Sequence, residues 1–384
     1  MAKPKLALIP ATQGSKLYSV LPADGVGDFT FSRGGTTGTS ATRINKDGLI
    51  ETVASGVSRL NYPLIDGVVN GCPSHLLEPS RLQLIPYSED FENSDWTKNA
   101  GTTITNNYAT SPDGTLNASR YLGTGTSGLG DKFTLSAASY TLSFYVKSNT
   151  SENQFCALLG DSSQSSGDLL VTTEWKRISH TFTGSGLSNK TNGIFRDSSN
   201  NDIDILIYGA QLEQGSYPTS YIPNYGTSAG ITRVAETATG AGDASTFNDS
   251  EGVLMAEISG FNETVYANNW ISLTDGTTNQ NNYVSIQQDT AGNIISRVRV
   301  NGVNSAVLYS TIIDQSLSSK IAIKYKLNDF SLYVNGFEYD SNNVGSIFST
   351  NTLSKLSFDY NSLSNPFYGN TKQIQYFDSA LNDS

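Results

Sequence analysis

The stretch SYTLSFYVKS, residues 139–148, alternates without interruption. Tyr140, Leu142, Phe144 and Val146 fall on one side, and Thr141, Ser143, Tyr145 and Lys147 on the other. A period of two held over ten residues would scatter apolar groups around a helix. On a strand it collects them on one face, so the stretch is predicted to be a half-buried antiparallel strand. KRISHTFT repeats the pattern with Ile178, His180 and Phe182, and DIDILIYGAQLEQG repeats it with Ile203, Ile205 and Ile207. Turn-forming residues separate these segments, and Tyr (20) and Phe (16) far outnumber Met (2), the profile of strands rather than helices. Residues 76–224 are therefore expected to form an antiparallel β-sandwich of the jelly-roll type.

A second set of strands follows a polar linker at 225–236, which carries Gly226 and Gly230. Asp275-Gly276, Asn301-Gly302 and Asn335-Gly336 supply the φ > 0 positions of tight hairpins. Ile321, Ile323, Tyr325 and Leu327 make one face, Asn328-Asp329 turns the chain, and Phe330, Leu332 and Val334 return it. Residues 237–384 are predicted to be a second antiparallel sandwich, so the fold class is all-β.

Residues 1–75 contain only short strand-like pieces between close turn signals, at Asp24-Gly25, Gly34-Gly35, Asp47-Gly48 and Asp66-Gly67. Such a segment buries little surface by itself. The expectation is an extended arm that orders only against another protein or its own copies, for attachment or oligomerisation. Its removal should leave soluble sandwiches. Residues 76–96, LLEPSRLQLIPYSEDFENSDW, form the seam. Pro79 and Pro86 exclude helix, and Leu76, Leu77, Leu82, Leu84 and Ile85 call for burial. An acidic aromatic run then ends at Trp96, the start of the first sandwich. No catalytic group is assigned to the seam.

The net charge is −11 and no long basic run occurs, which argues against a nucleic-acid partner or an anionic membrane surface. No stretch approaches membrane-spanning length, and Met1-Ala2-Lys3-Pro4-Lys5 precedes no secretory apolar region, so synthesis in a cytoplasm and no membrane insertion are expected. Cys72 and Cys156 give no disulfide framework. GTSAG at 226–230 matches the G-x-S-x-G pattern, but both histidines, His75 and His180, precede Ser228, and a linker is not a nucleophile elbow. His180 reads as a half-buried, hydrogen-bonded histidine. In DSSNNDID, Asp197, Asp202 and Asp204, with Asn200 and Asn201, are weak calcium candidates, and no other cofactor is expected. Paired carboxylates for glycoside hydrolysis need a separation that sequence cannot show, and no enzyme is expected. Aromatics beside amides are the better lead, because sugar C–H faces stack on rings while amides bind hydroxyls. The glycan-binding candidates are Tyr145, Trp270 with Asn268 and Asn269, and Tyr283 beside Asn281 and Asn282.

Three strings together resemble a module of tailed-bacteriophage head-fibre, head-spike and tail-fibre proteins: SRGGTTGTSATRINKDGLIETVASGVSRLNYP, LLEPSRLQLIPYSEDFENSDWTK and GAQLEQGSYPTSYIP. The likeness covers roughly residues 28–234. The middle of the chain resembles a carbohydrate-binding-module jelly roll. Residues 237–384 resemble the concanavalin A-like or laminin-G-like fold through KIAIKYKLNDFSLYVNG and QIQYFDSALND. These resemblances imply a structural protein of the virion surface. Residues 1–75 would hold it to a capsid or tail protein, and the sandwiches would meet a host surface glycan. A homo-oligomer is implied, with dimer and trimer both open. The alternatives are an adaptor that carries another fibre and, less favoured, a glycan-degrading spike.

Overall fold

The computed structural model describes residues 3–10, 19–21, 28–33, 41–199, 201–261, 269–360 and 365–381. Every regular element among them is a strand, and the strands build two antiparallel sandwiches. In the first, one sheet runs Thr102–Ala109, Ala118–Gly123, Ile203–Gln214, Ser139–Ser148 and Lys176–Thr183 in spatial order. The facing sheet runs Thr97–Lys98, Gly128–Phe133, Lys190–Arg196, Gln154–Gly160 and Gln164–Ser165, with Leu169–Val171 also paired to Gln154–Gly160. Tyr140, Leu142, Phe144, Val146, Ile178, Phe182 and the three isoleucines of Ile203–Gln214 share one core with Trp96, as the alternation predicts.

Ile203–Gln214 changes phase partway along. Ser143 pairs with Gln211 and Tyr145 with Tyr208, so Gly209 and Ala210 together oppose Phe144. This bulge puts Ile203, Ile205 and Ile207 inward on one phase, and Ala210 and Leu212 on the other. Gly209 has φ +59°, and a side chain there would press on the Tyr145 and Tyr221 rings at 3.2 Å.

The strand at 139–148 is covered on both faces rather than half-buried, because Thr141 and Ser143 have no exposed surface. The turn after Ile203–Gln214 lies over them: Thr141 Oγ1 donates to Gly215 O at 2.9 Å, and Arg177 donates to Ser143 Oγ at 2.9 Å.

The second sandwich has a nine-stranded sheet. Its main path is Ser19–Leu21, Leu6–Leu8, Gly369–Phe377, Glu251–Gly260, Ser319–Lys326, Asp329–Val334 and Phe337–Asn342. Ser74–Leu77 also pairs with Gly369–Phe377, and Leu60–Asn61 pairs with Ser74–Leu77. The facing sheet runs Val303–Tyr309, Ile294–Val300, Tyr283–Gln288, Asn269–Thr274 and Lys355–Ser357. Ile321, Ile323, Tyr325, Phe330, Leu332 and Val334 are in the core, but Leu327 is exposed, at the turn.

The N-terminal segment is extended, yet it orders against its own chain rather than only against a partner. Leu6, Leu8, Phe29, Leu60 and Leu77 belong to the second core. Thr30–Ser32 pairs with Thr237–Thr239. Each piece is short, as expected; Leu6–Leu8 and Ser74–Leu77 add to the edge that the last strand leaves open, and the others pair elsewhere within the chain.

The seam differs from expectation in its phase. Leu76, Leu77 and Ile85 are buried, Leu84 is half-buried, and Leu82 is 38% exposed. Arg81 and Gln83 turn inward instead. Gln83 Nε2 donates to Ala210 O at 2.7 Å, while Gln83 Oε1 accepts from Leu212 N at 3.0 Å and Ile85 N at 3.1 Å. The side-chain amide thus substitutes for a strand partner beside the bulge.

Where the seam, the N-terminal segment and the linker meet lies a buried ionic network. Arg59 bridges Glu78 at 2.7 Å and also contacts Glu236. Arg233 reaches Glu78 at 2.9 Å, and Arg33 reaches Glu236 at 2.9 Å. Burial disfavours the Glu78 carboxylate, but Arg233 and Arg59 outweigh it and bring its pKa down to about 2. His75, next to this network, accepts or donates at Ser58 Oγ at 2.7 Å. Burial first, then Arg59 and Arg33, push its pKa down to about 3.

Candidate functional site

The seam continues past Pro86 into Tyr87, Ser88 and Glu89, and there it forms one wall of a cleft of about 610 Å³. The chain is held in place by main-chain bonds from Ala210 N to Ser88 O at 2.9 Å and from Ser88 N to Asn224 O at 3.0 Å. Asp90, Glu92 and Asn93 extend that wall. Asn106 and Asn107, on Thr102–Ala109, form the opposite side. Asn107 has φ +53°, a left-handed conformation that Asn tolerates, where the register with Ala118–Gly123 shifts. Asn117, Asn224 and Tyr225 complete the lining.

Glu89 is the centre of the cleft's hydrogen bonding. Its Oε1 accepts from three phenols: Tyr221 at 2.9 Å, Tyr208 at 3.2 Å and Tyr225 at 3.2 Å. Its Oε2 accepts from Asn117 Nδ2 at 3.2 Å. Asp113 shares two of these donors, Tyr208 at 3.1 Å and Asn117 at 3.0 Å. Burial raises the Glu89 pKa, the phenol bonds pull against that, and the Asp113 charge adds to it; the net shift is upward. Burial also works against Asp113, but bonds from Thr115, Ser111 and Asn117 outweigh it, so its pKa is lowered. The Tyr225 phenol is pushed up, by burial and then by Glu89. The residue as a whole is 75% exposed, so the hydroxyl is anchored while much of the side chain stays open.

Tyr145 lies behind this array and is partly buried. It packs with Ile50, Tyr208 and Tyr221, and the Arg177 guanidinium sits 5.3 Å from its ring. The hairpin of Ala41–Ile44 and Ile50–Val53 covers the side that alternation leaves open. Trp270 and Tyr283 are buried as well, with 4% and 2% exposure. They lie on the outer face of their sheet, but Tyr360 closes over them, with its ring 4.0 Å from Trp270 and 5.4 Å from Tyr283. Asn269 is buried, and Asn268 lies outside the described residues. None of the sequence candidates lines the cleft.

The weak calcium candidates go to separate partners. Asp197 caps Asn201, Asp202 faces Arg196, and Asp204 takes Arg120 at 2.7 and 2.8 Å. Asn200 lies outside the described residues. His180 is half-buried, with Nε2 at 2.9 Å from Gln164 O. Ser228 is exposed in an irregular turn, with no strand-to-helix elbow around it. Cys72 and Cys156 are free thiols. Burial raises the Cys156 pKa to about 12.

Sequence reasoning missed every lining residue, Glu89, Asn106, Asn117 and Tyr225 among them. Their signal was partial: an acidic aromatic run, an Asn pair, and a tyrosine in a polar linker. Only the topology brings 87–93, 106–117 and 224–225 together.

No protein-family model matches the chain, and no curated protein matches it. Among solved structures, it is similar to the Ruminococcus gnavus IT-sialidase CBM40 bound to α2,3-sialyllactose, at 15% identity and a TM-score of 0.31, over 36% of this chain and 82% of that one. It is also similar to the K499G mutant of NanB sialidase from Streptococcus pneumoniae, at 18% identity and a TM-score of 0.30, over 36% of this chain and 24% of that one. A third is domain 4 of AbnA, an arabinanase from Geobacillus stearothermophilus, in complex with arabinotriose, at 14% identity and a TM-score of 0.27, over 39% of this chain and 69% of that one. Likeness at this level assigns neither a family nor a ligand.

Proposed function

We propose that this is a non-enzymatic glycan-binding protein whose saccharide site is the Glu89 cleft. One observation carries the reading. A tyrosine that is 75% exposed as a residue, held by its hydroxyl, stands in the same 610 Å³ cleft as carboxylates and five asparagines. A sugar ring presents C–H faces to an aromatic and hydroxyls to carboxylate and amide groups. Two carboxylates are engaged by the fold: Glu89, in the cleft, by three phenols, and Asp113, just behind it, by Thr115, Ser111 and Asn117. That engagement favours binding over hydrolysis.

The wider role we propose is a structural appendage of a tailed-bacteriophage virion, on head or tail. Support for it comes from the three strings at 32–63, 76–98 and 209–223. The first two also supply much of the junction network and the cleft wall.

The test is a glycan array with wild-type protein and Tyr225→Ala. Wild type should bind a defined subset, and the variant should lose at least about tenfold in affinity with its fold unchanged, because an exposed ring contributes little to stability. Release of reducing ends from the bound glycans would show hydrolysis and defeat the non-enzymatic reading. Antibody labelling of purified phage particles tests the virion role.

A further inference from the structure

Resting on the glycan-binding reading, we infer that the cleft takes saccharides without acid groups, neutral or amino sugars, and discriminates against sialylated or uronic-acid glycans.

The first argument is charge. Glu89, Asp90 and Glu92 line the cleft, and Asp113 shares donors with Glu89 just behind it. No Lys or Arg is among the lining residues in the described part of the chain. Lys98 lies on the Asn93 side, but its ammonium donates to the main-chain oxygens of Glu92, Asn93 and Trp96 at 3.2–3.3 Å. A ligand carboxylate entering here meets several like charges and no opposed guanidinium or ammonium.

The second argument is independent of charge and concerns donors. Asn106 Nδ2 donates to Asp90 at 2.6 Å, Asn117 Nδ2 to Glu89 and Asp113, and Asn224 Nδ2 to Thr227 O at 3.0 Å. The Tyr225 hydroxyl donates to Glu89. Asn117 has thus committed both of its amide hydrogens, Asn106 and Asn224 one of two each, and the exposed phenol its single hydrogen. Asn117 Oδ1, by contrast, is buried and has no partner. The three lining carboxylates make the cleft rich in acceptors, and its exposed phenol has no hydrogen left to donate. Hydroxyls and ammonium groups suit such a surface, whereas a carboxylate brings only acceptors.

The experiment is a printed array of neutral glycans, each paired with its sialylated or uronic-acid counterpart, together with N-acetylated and de-acetylated amino-sugar oligomers. Affinities of the bound pairs are then measured at low and high salt. The expected result is acidic members at least about tenfold weaker than their neutral partners at low salt. Salt should shrink the gap, and so should the Asp90→Asn/Glu92→Gln double variant, whose two side chains are exposed. Acidic and neutral partners binding equally, with Tyr225→Ala abolishing both, would overturn the charge inference and leave the cleft as a glycan site. No binding by any glycan would overturn both.

Discussion

His75 shows how a single residue records its surroundings. It is 1% exposed and has a pKa of about 3. The unfolded value is about 6.5. Between these limits the unfolded chain holds a proton that the folded chain refuses. Stability is therefore full above pH 6.5 and falls as pH drops, by up to ~1.4 kcal/mol per pH unit. Glu78, lowered to about 2, acts in the same direction from its ordinary range downward. Asp131 acts oppositely, since burial raises it to about 6. His75→Gln should remove the loss that begins near pH 6.5, and Asp131 cancels when denaturation curves of variant and wild type are subtracted. An unchanged pH dependence in the variant would show that His75 is not the group responsible. Gly209 also acts through conformation, because only a residue without a side chain clears both tyrosine rings at that bend.

At the level of elements, alternation identified the strands but not what covers them. It placed Tyr140, Leu142, Phe144 and Val146 on the core side correctly. It also placed Tyr145 on an outer face, while Trp270 and Tyr283 stood out only for the amides beside them. A period of two says nothing about whether a hairpin or a later segment lies over the outer face, and here Trp270 and Tyr283 are covered and Tyr145 partly so. The seam failed for a related reason. Leucine content points to Leu82 and Leu84, but the bulge in Ile203–Gln214 needs a polar side chain, and Gln83 supplies it. Gln83→Ala should cost about 2 kcal/mol in chemical denaturation, because it leaves the buried Ala210 carbonyl and Leu212 amide short of a partner. Leu82→Ala, at 38% exposure, should cost less than about 1 kcal/mol. Equal losses would mean that the seam is held by apolar packing. The cleft was the least legible feature, since its walls come from three distant segments and no local pattern marks their convergence.

For the whole molecule, the arm expectation changes most. Residues 6–8, 29, 60 and 74–77 complete the second sandwich, and Arg33 and Arg59 neutralise Glu236 and Glu78. Deleting residues 1–75 should therefore not leave two soluble sandwiches. It exposes one side of Gly369–Phe377 and leaves Glu236 without Arg33 and Arg59, and loss of one partner in a buried pair typically costs about 3–5 kcal/mol. The truncated chain should aggregate or lose the second sandwich's cooperative unfolding transition, while the first retains its own core. A truncated protein with both transitions intact, measured by calorimetry, would contradict this account. The same strand, Gly369–Phe377, pairs with both Leu6–Leu8 and Ser74–Leu77. On a ribosome adding roughly 5–20 residues per second, residues 6–8 emerge tens of seconds before their partner exists. The first sandwich can close in that interval, so translation itself orders the folding: the half with the Glu89 cleft comes first, and the half that holds the earliest residues comes last.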